Sequence, residues 1–341
     1  MNKLTILTVT CGREETLESY LKNLVSCRYF ADVQALILAN DASHSTEKIL
    51  EFYHTKYNNI NFIKSARLGR GQARNTLLQE SQSEFVYFLD DDIILPLDTL
   101  SVALENIDRY PQVDILGGPN LTPPGSNLFK TAQGYVLGSF FATLWMSRRY
   151  YKFPKAVSAD ERTLILCNLI FRRSIFKHGD NLFDSSVIAG EENLLLRKLM
   201  AKGHRAMYIP DLIIYHERRK SYIEFCRQIF TYGAGRYQTI RNYPGAYSII
   251  YFMPAIFLIY LLSLLLYRPL YLQVTLFIYL LPCAYNSLKY TWLERKIRLL
   301  PISLILFPTI HLMYGAGFVI ELIKPLFGWT RNVSILAQKG A

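Results

Sequence analysis

The sequence contains few cysteines, and their arrangement excludes two kinds of structure. The 341 residues include 5 cysteines, an odd number, which are scattered along the chain without any CxxC pair. A disulfide framework and a cysteine-based zinc site both need paired or closely spaced cysteines. We therefore expect free thiols in a protein that works in a reducing compartment.

The sequence also lacks a long polybasic tract, an internal repeat and a low-complexity segment, although its formal net charge is +11. The absence of repeats and biased segments excludes solenoid proteins and largely disordered proteins. The dispersed Lys and Arg residues carry no RNA-binding signature, so we expect no nucleic-acid partner. An anionic membrane surface or a phosphorylated substrate explains the positive charge more simply.

A secretory signal is a further missing feature. The opening MNKLTILTVTCGREE reaches Arg13 and Glu14 after an apolar run that is too short for a signal peptide. We therefore expect the chain to begin with a folded, cytosolic domain.

Short apolar runs alternate with amphipathic segments over the first part of the chain. LTILTVT, VQALILAN, NINFIKS and FVYFL are predicted strands, and ETLESYLKNLVSC, STEKILEFYHTKY and RGQARNTLLQES are predicted helices. Further along, TLILCNLIFRRSIF is predicted to be a strand that enters a helix. The alternation predicts an α/β fold, Rossmann-like, with a mostly parallel sheet and flanking helices.

Three consecutive carboxylates, Asp90, Asp91 and Asp92, follow the strand FVYFL. Adjacent carboxylates repel one another and are costly to desolvate unless a cation or hydrogen-bond donors compensate them. A solvated turn or a helix N-cap is the alternative role of such a triplet. Because ligands of α/β sheets bind at the carboxyl ends of the strands, the position favours a binding site. A second acidic pair, in GEEN, and His216 also lie at the ends of predicted elements.

Three uncharged apolar stretches occupy the C-terminal part of the chain, and each is long enough to span a bilayer. They predict about three transmembrane helices within residues 247–323, followed by a tail at residues 324–341. By the positive-inside rule, the basic loop KYTWLERKIR and the N-terminal domain share the cytoplasmic side. The chain is thus expected to be a multi-pass protein of the cell inner membrane. Prolines in all three stretches leave kinked or re-entrant segments as an alternative.

Basic and aromatic residues are interleaved over residues 217–246, in ERRKSYIEFCRQIFTYGAGRYQTIRNYPG. This mixture is typical of helices that lie among lipid headgroups, and single-stranded nucleic acid is the alternative ligand. The neighbouring apolar stretches favour the membrane, because basic segments beside a span are attracted to anionic lipid.

Six motifs in order, TVTCGREETL, LANDAS, LGRGQARN, FLDDD, GEEN and YHERR, resemble those of glycosyltransferase family 2, which has the GT-A fold. The similarity covers about the first 240 residues and is to the membrane-attached members that build bacterial surface polysaccharides. It implies a GT-A catalytic domain at residues 1–216, a UDP- or GDP-sugar donor, and Mn²⁺ or Mg²⁺ as cofactor.

The resemblance assigns the metal site first. FLDDD resembles the DXD motif of the family, which implies Asp90 and Asp92 as the motif acids and Asp92 as the more direct metal ligand. His216 occupies the family's position for a further metal contact, although a surface or capping histidine is the ordinary alternative. Carboxylate oxygens are the ligands that Mg²⁺ and Mn²⁺ prefer.

The resemblance also implies a donor site. The side chains expected there are Thr10, Arg13, Asp41, Arg74, Asp90 and Asp91. Asn40 stands where the family has the first acid of its DDGS element, so the resemblance does not imply that the nucleotide base is recognised as it is in the family. The glycines of LGRGQARN could cradle phosphate at a helix N-terminus or simply form a flexible turn.

GEEN resembles the Glu-Asp motif of the family, whose second acid is the catalytic base of an inverting transfer. This implies Glu192 as the base, and Glu191 remains a competing candidate because a glutamate replaces the usual aspartate. Both acids could also cap the following helix, since carboxylates are favoured at a helix N-terminus.

A Gln-x-x-Arg-Trp signature, which processive synthases carry, is missing. The resemblance therefore implies transfer of one sugar at a time, to a lipid-linked or polysaccharide acceptor at the cytoplasmic membrane face. Two alternatives remain: a nucleotidyltransferase acting on a sugar phosphate, and a non-catalytic membrane subunit that retains the fold.

Overall fold

The structure is a computed structural model of the chain and describes residues 3–176, 182–184, 186–243, 245, 248–267 and 269–327. The backbone forms two compact units. The sheet unit comprises residues 1–123, 148–185 and 191–217, and the helical unit comprises residues 124–147, 186–190 and 218–341. The predicted domain boundaries after residues 216, 246 and 323 stay predictions.

The sheet unit holds all the strands of the described residues. They are β1 (Leu4–Thr10), β2 (Gln34–Asn40), β3 (Ile60–Ser65), β4 (Phe85–Leu89), β5 (Ile93–Ile94), β6 (Ile115–Gly117), β7 (Asn120–Leu121), β8 (Val157–Ser158), β9 (Asn168–Arg172), β10 (Ala206–Tyr208) and β11 (Ile214–His216).

Eleven α-helices are present in the described residues. They are α1 (Glu14–Ser26), α2 (His44–Lys56), α3 (Arg70–Glu80), α4 (Thr99–Arg109), α5 (Leu128–Leu137), α6 (Phe140–Thr143), α7 (Glu191–Ala201), α8 (Tyr222–Asn242), α9 (Met253–Leu266), α10 (Leu270–Glu294) and α11 (Leu299–Ile323). Helices α1 to α4 and α7 belong to the sheet unit, and the others belong to the helical unit.

The large sheet has the order β3-β2-β1-β4-β9-β6-β10-β8, and β3, β2, β1 and β4 are parallel neighbours. All five residues of β4 are buried, which explains why its sequence is a continuous apolar run. The strands and helices predicted for residues 4–92 are therefore confirmed, and so is the α/β class. Because β1, β2 and β4 run in the same direction, their carboxyl ends meet at one edge.

Strand β9 departs from the predicted parallel pattern. It lies antiparallel between β4 and β6. It is the predicted strand in TLILCNLIFRRSIF, and within the described residues the segment after it, Arg173–Phe176, is a 3₁₀ turn where a helix is predicted. Residues 177–181, which come next, lie outside the described residues. Three further strands form a small sheet in the order β5-β11-β7, in which His216 is paired with Ile93.

Helices cover both faces of the large sheet. On one face Leu17 of α1 and Leu50 of α2 are buried in the same cluster as Ile6 of β1. On the other face Leu77 of α3 is buried with Leu7 of β1. Adjacent residues of a strand point to opposite faces, so the apolar run of β1 serves both cores.

The helical unit is built around α11, which packs against α5, α8, α9 and α10. Helix α8 approaches α11 closely at two glycines. A Cβ atom at Gly317 would lie 2.0 Å from the carbonyl oxygen of Phe230, and one at Gly233 would lie 2.0 Å from that of Tyr314. Only glycine permits this separation of the two backbones.

Two stretches of the described residues are long and apolar enough to cross a membrane, Ile249–Leu266 and Leu299–Phe327. Helix α10, the middle one of the three predicted spans, is less apolar than α9 and α11 and is not one of these stretches. The structure thus supports two of the three predicted spans by length and composition. Tyr247, where the predicted spans begin, and residues 328–341 of the predicted tail lie outside the described residues.

Candidate active site

Polar side chains follow the parallel strands at the edge where these strands end. Thr10 is the last residue of β1, Asn40 is the last residue of β2, and Asp90 directly follows β4. The register of the sheet pairs Leu4 with Phe85 and Thr10 with Ala39, so these ends lie side by side. The fold therefore gathers polar groups from strands that are far apart in sequence.

Asp90, Asp92 and His216 each offer one ligand atom within 4.8 Å of the others. The imidazole Nε2 of His216 lies 2.8 Å from Oδ1 of Asp92. The small sheet explains this contact, because its pairing of His216 with Ile93 sets the histidine beside the residue that follows Asp92. The structure thus brings together the three residues that were predicted as metal ligands.

Asp91 is buried and is not one of the residues of this cluster. The hydroxyl of Thr10 donates to its Oδ2 at 2.7 Å, and Nη2 of Arg13 donates to its Oδ1. Burial raises the pKa of Asp91 to about 6, although the charge of Arg13 acts in the opposite direction. Asp91 therefore belongs to a hydrogen-bonded network under the strand ends.

Arg13 joins Asp91 to Asp92, because its Nη1 donates to Oδ2 of Asp92 at 3.0 Å. Burial disfavours ionisation of Asp92, but the charges of His216 and Arg13 outweigh it and hold the pKa of Asp92 well below its usual value. Asp92 is accordingly a carboxylate at neutral pH, which is the form that ligates a metal.

Arg74 of α3 links the aspartates to the second acidic pair. Its Nη2 lies 3.7 Å from Oδ1 of Asp90, and its Nη1 donates to Oε1 of Glu191. The Arg74 side chain is 14% exposed, so these carboxylates compensate a largely buried charge. The predicted donor-site arginine thus already binds two acids.

Glu191 and Glu192 occupy the first turn of α7, and both are buried. Oε1 of Glu192 lies 3.5 Å from Nη1 of Arg149. Burial raises the pKa of Glu192, the charge of Arg149 opposes the rise, and the neighbouring Glu191 adds to it. A glutamate with a raised pKa is a suitable proton acceptor near neutral pH.

Asp41, a predicted donor-site residue, and its neighbour Asn40 have different surroundings. Asp41 is exposed and has a φ of 54°, a strained conformation for a residue other than glycine. Asn40 is buried, and its amide accepts from the N–H of Leu68 at 2.7 Å and donates to the carbonyl of the same residue at 3.1 Å. An aspartate could only accept, so asparagine is the better residue for this clamp.

Arg149 is a residue of this site that the motifs do not identify. It lies in a 3₁₀ segment, Leu144–Tyr150, within a stretch whose sequence shows no regular period. The only sequence signal is the adjacent basic pair Arg148-Arg149, and composition alone does not show which of the two is buried.

A divalent cation fits the donor set and the charge of the site. The ligand atoms are two carboxylate oxygens and one imidazole nitrogen, a set suited to Mn²⁺ or Mg²⁺. The ion pairs of the site involve five carboxylates, Asp90, Asp91, Asp92, Glu191 and Glu192, and three guanidinium groups, Arg13, Arg74 and Arg149. These carboxylates outnumber the guanidinium groups by two, which is the charge that one divalent ion supplies.

Residues 5–179, more than half of the chain, match the family described as Glycosyl transferase family 2. TarS, a poly(ribitol-phosphate) beta-N-acetylglucosaminyltransferase of Staphylococcus aureus, is 24% identical over 226 residues, which cover 64% of this chain and 36% of TarS. The chain thus spans about a third of the length of this relative.

A relative of similar length is the dolichyl N-acetyl-alpha-D-glucosaminyl phosphate 3-beta-D-2,3-diacetamido-2,3-dideoxy-beta-D-glucuronosyltransferase of Methanococcus voltae. It is 21% identical over 330 residues, which cover 95% of this chain and 98% of the relative. Among solved structures, mannosyltransferase PcManGT from Pyrobaculum calidifontis, in complex with GDP-Man and Mn²⁺, is similar with a TM-score of 0.58 at 16% identity. This likeness covers 94% of this chain and 87% of PcManGT, and it confirms the predicted GT-A fold.

Proposed function

Because the chain belongs to glycosyl transferase family 2, we propose that it transfers one sugar from a nucleotide-sugar donor to a lipid-linked or glycan acceptor, with inversion at the anomeric carbon. The observation that carries the proposal is the arrangement of the two acidic groups. The cluster Asp90, Asp92 and His216, which could hold a metal ion, is connected through Arg74 to Glu191, the first residue of the buried glutamate pair. A transferase of this kind needs both a charge-stabilised leaving group and a proton acceptor.

The donor is proposed to be a UDP- or GDP-sugar whose diphosphate is bound at the aspartate cluster. Asp92, Asp90 and His216 would hold Mn²⁺ or Mg²⁺, which when bound supplies positive charge to the diphosphate as the glycosidic bond breaks. The donor-binding roles of Thr10, Arg13, Asp41, Arg74 and Asp91 are part of the same proposal. In the structure Thr10 and Arg13 support these roles by fixing Asp91 at the strand ends.

Glu192 is proposed as the catalytic base. The acceptor hydroxyl oxygen attacks the anomeric carbon, the nucleoside diphosphate leaves with the electrons of the broken bond, and the hydroxyl proton passes to the Glu192 carboxylate. Its pairing with one arginine at 3.5 Å and its raised pKa support this role. Glu191 is the weaker candidate, because Arg74 donates directly to its carboxylate.

The acceptor is proposed to be presented at the cytoplasmic face of the cell inner membrane. Large apolar side chains are exposed along α9 and α10, among them Leu266, Tyr271 and Trp292. A patch of this kind marks a surface that binds lipid or a partner. The methanococcal relative, whose name includes a dolichyl-linked substrate, aligns over almost the full chain, which favours a lipid-linked acceptor.

The test is a screen of the detergent-solubilised protein against UDP-, GDP- and dTDP-sugars, with Mn²⁺, with Mg²⁺ and with EDTA. We expect one nucleotide sugar to bind in a metal-dependent way and to release its nucleoside diphosphate slowly, and faster with lipid-linked acceptors. Consumption of a nucleoside triphosphate with release of pyrophosphate would instead show a nucleotidyltransferase. A protein that binds none of these compounds would be a non-catalytic subunit, and the proposal would be wrong.

A further inference from the structure

Arg149 is a buried cation outside the motifs of the family. It is 7% exposed, whereas its neighbour Arg148 is exposed. A buried guanidinium is costly unless hydrogen bonds and a carboxylate compensate it. Its partners therefore indicate what it does.

Backbone carbonyls fix the guanidinium group of Arg149. Nε donates to the carbonyl of Arg162 at 3.2 Å, and Nη2 donates to the carbonyl of Glu161. Both partners lie in one short loop after β8, so backbone groups of this loop hold the guanidinium. An arginine suits this arrangement because its donors form a planar fork, which a lysine lacks.

The same guanidinium contacts two consecutive residues of α7. Nη2 donates to Oδ1 of Asn193, and Nη1 forms the ion pair with Oε1 of Glu192. Asn193 is itself buried, so this contact orients the first turn of α7. Arg149 thus connects a fixed loop to the residue proposed as the base.

We propose that Arg149 is a positioning residue of the catalytic base, which keeps the Glu192 carboxylate ionised and directed while Arg74 separately neutralises Glu191. The inference rests on the proposed function, since it deepens the role assigned to Glu192. Arg149 does not touch the reacting atoms, and its effect passes through the glutamate.

The charged groups that face Glu192 are Arg149, Glu191 and Arg74. Burial raises the pKa of Glu192 most, and Arg149 is the largest influence that lowers it. Loss of the Arg149 charge therefore raises this pKa further, so Glu192 is protonated up to a higher pH and accepts a proton less often at neutral pH.

The first experiment measures the pH dependence of nucleoside diphosphate release for Arg149→Met, Arg149→Lys and the matched control Arg148→Met. We expect Arg149→Met to lower kcat roughly 10- to 100-fold at neutral pH, within the usual range for loss of acid–base catalysis. Its acid limb moves up by about 1 pH unit or more, the usual effect of removing a close opposite charge. Arg149→Lys shows a smaller shift, Arg148→Met leaves the acid limb in place, and UDP and GDP bind all variants as they bind the wild type.

The second experiment does not depend on activity. Thermal unfolding is compared for Arg149→Met, Glu192→Gln and the double variant in the same detergent. If the two groups compensate each other, Glu192→Gln destabilises the Arg149→Met variant less than it destabilises the wild type, because the glutamate has already lost its ion-pair partner. If the change in unfolding temperature of the double variant is the sum of the changes of the two single variants, Arg149 and Glu192 do not interact and the inference is wrong.

The two experiments separate failure of this inference from failure of the proposed function. Coupled unfolding with an unmoved acid limb would overturn the positioning role and leave Arg149 as part of the fold. A wild-type protein that turns over no donor would refute the proposed function. In that case the unfolding temperatures of the single and double variants alone would show whether Arg149 and Glu192 interact.

Discussion

The two acidic groups of the sheet unit look alike in the sequence, but their charges are held differently. In the triplet Asp90–Asp92, two carboxylates lie beside an imidazole with their ligand atoms within 4.8 Å. In the pair Glu191–Glu192, each carboxylate has its own arginine, Arg74 for the first and Arg149 for the second. A cluster of close ligands attracts a cation, whereas a buried carboxylate with one partner is suited to accept a proton. The groups that surround the carboxylates, more than the carboxylates themselves, distinguish the proposed metal site from the proposed catalytic base.

The largest effect is expected at the aspartate cluster. Asp92→Asn removes a proposed metal ligand that the charges of His216 and Arg13 keep ionised. Charge stabilisation by a bound metal is worth several kcal/mol, so turnover falls about 10³-fold or more. The rate of nucleoside diphosphate release in the presence of Mn²⁺ measures this fall in turnover. The control is Asp32→Asn, which changes an exposed aspartate. Normal Mn²⁺-dependent turnover of Asp92→Asn would show that the metal binds elsewhere.

The next effect is expected at the glutamate pair. Glu192→Gln removes the proposed base and lowers transfer roughly 10²- to 10⁴-fold, while donor binding stays intact. Glu191→Gln is the matched comparison, since it removes the closer of the two carboxylates of Arg74 and should lower the unfolding temperature while retaining more turnover. Single-turnover transfer measures both variants. If Glu191→Gln is the inactive one, the two glutamates exchange roles.

The pH dependence sharpens the comparison further. Burial raises the pKa of Glu192 above the ordinary 4.5 of a glutamate. Only the ionised form accepts a proton, so kcat/KM should fall as the pH is lowered through this raised pKa. The acid limb should therefore lie above the pH at which an exposed glutamate titrates, and it should be absent from the residual rate of Glu192→Gln. An acid limb that Glu192→Gln retains would belong to another group.

The smallest effect concerns Asp91, the aspartate of the triplet that is not part of the cluster. Thr10→Val removes the 2.7 Å hydrogen bond to Asp91 and leaves the contact with Arg13. The loss should cost roughly 1 to 2 kcal/mol of stability and weaken donor binding only slightly. Chemical denaturation and nucleotide titration measure these effects, and Thr16→Val on α1 is the control. A loss of activity as large as that of Asp92→Asn would give Asp91 a direct role.

Much of the sheet unit could be predicted from the sequence. The apolar runs of β1 and β4 are buried on both faces, so they are continuous in the sequence, and Ser43 caps α2 by accepting from the N–H of Thr46 at 3.1 Å. The antiparallel direction of β9 could not be predicted, because a buried strand has the same apolar pattern in either direction.

The candidate site was predictable where acids follow strands and remained hidden where a partner comes from a distant loop. Asp92 and His216 are 124 residues apart, and the resemblance to the family, not any local pattern, pairs them. Nothing in the sequence distinguishes buried Arg149 from exposed Arg148, since burial is decided by the packing of the loop. The hydrogen bonding of Asn40 with Leu68 could not be predicted, because the sequence shows Asn40 only as a departure from the family pattern.

The most direct test of the division between the two acidic groups is calorimetric titration of UDP and of GDP into Asp92→Asn and Glu192→Gln, with and without Mn²⁺. We expect Glu192→Gln to bind the nucleotide in Mn²⁺ as tightly as the wild type, and Asp92→Asn to lose the Mn²⁺-dependent part of the affinity. The reverse result, with intact Mn²⁺-dependent binding in Asp92→Asn and lost binding in Glu192→Gln, would contradict the account.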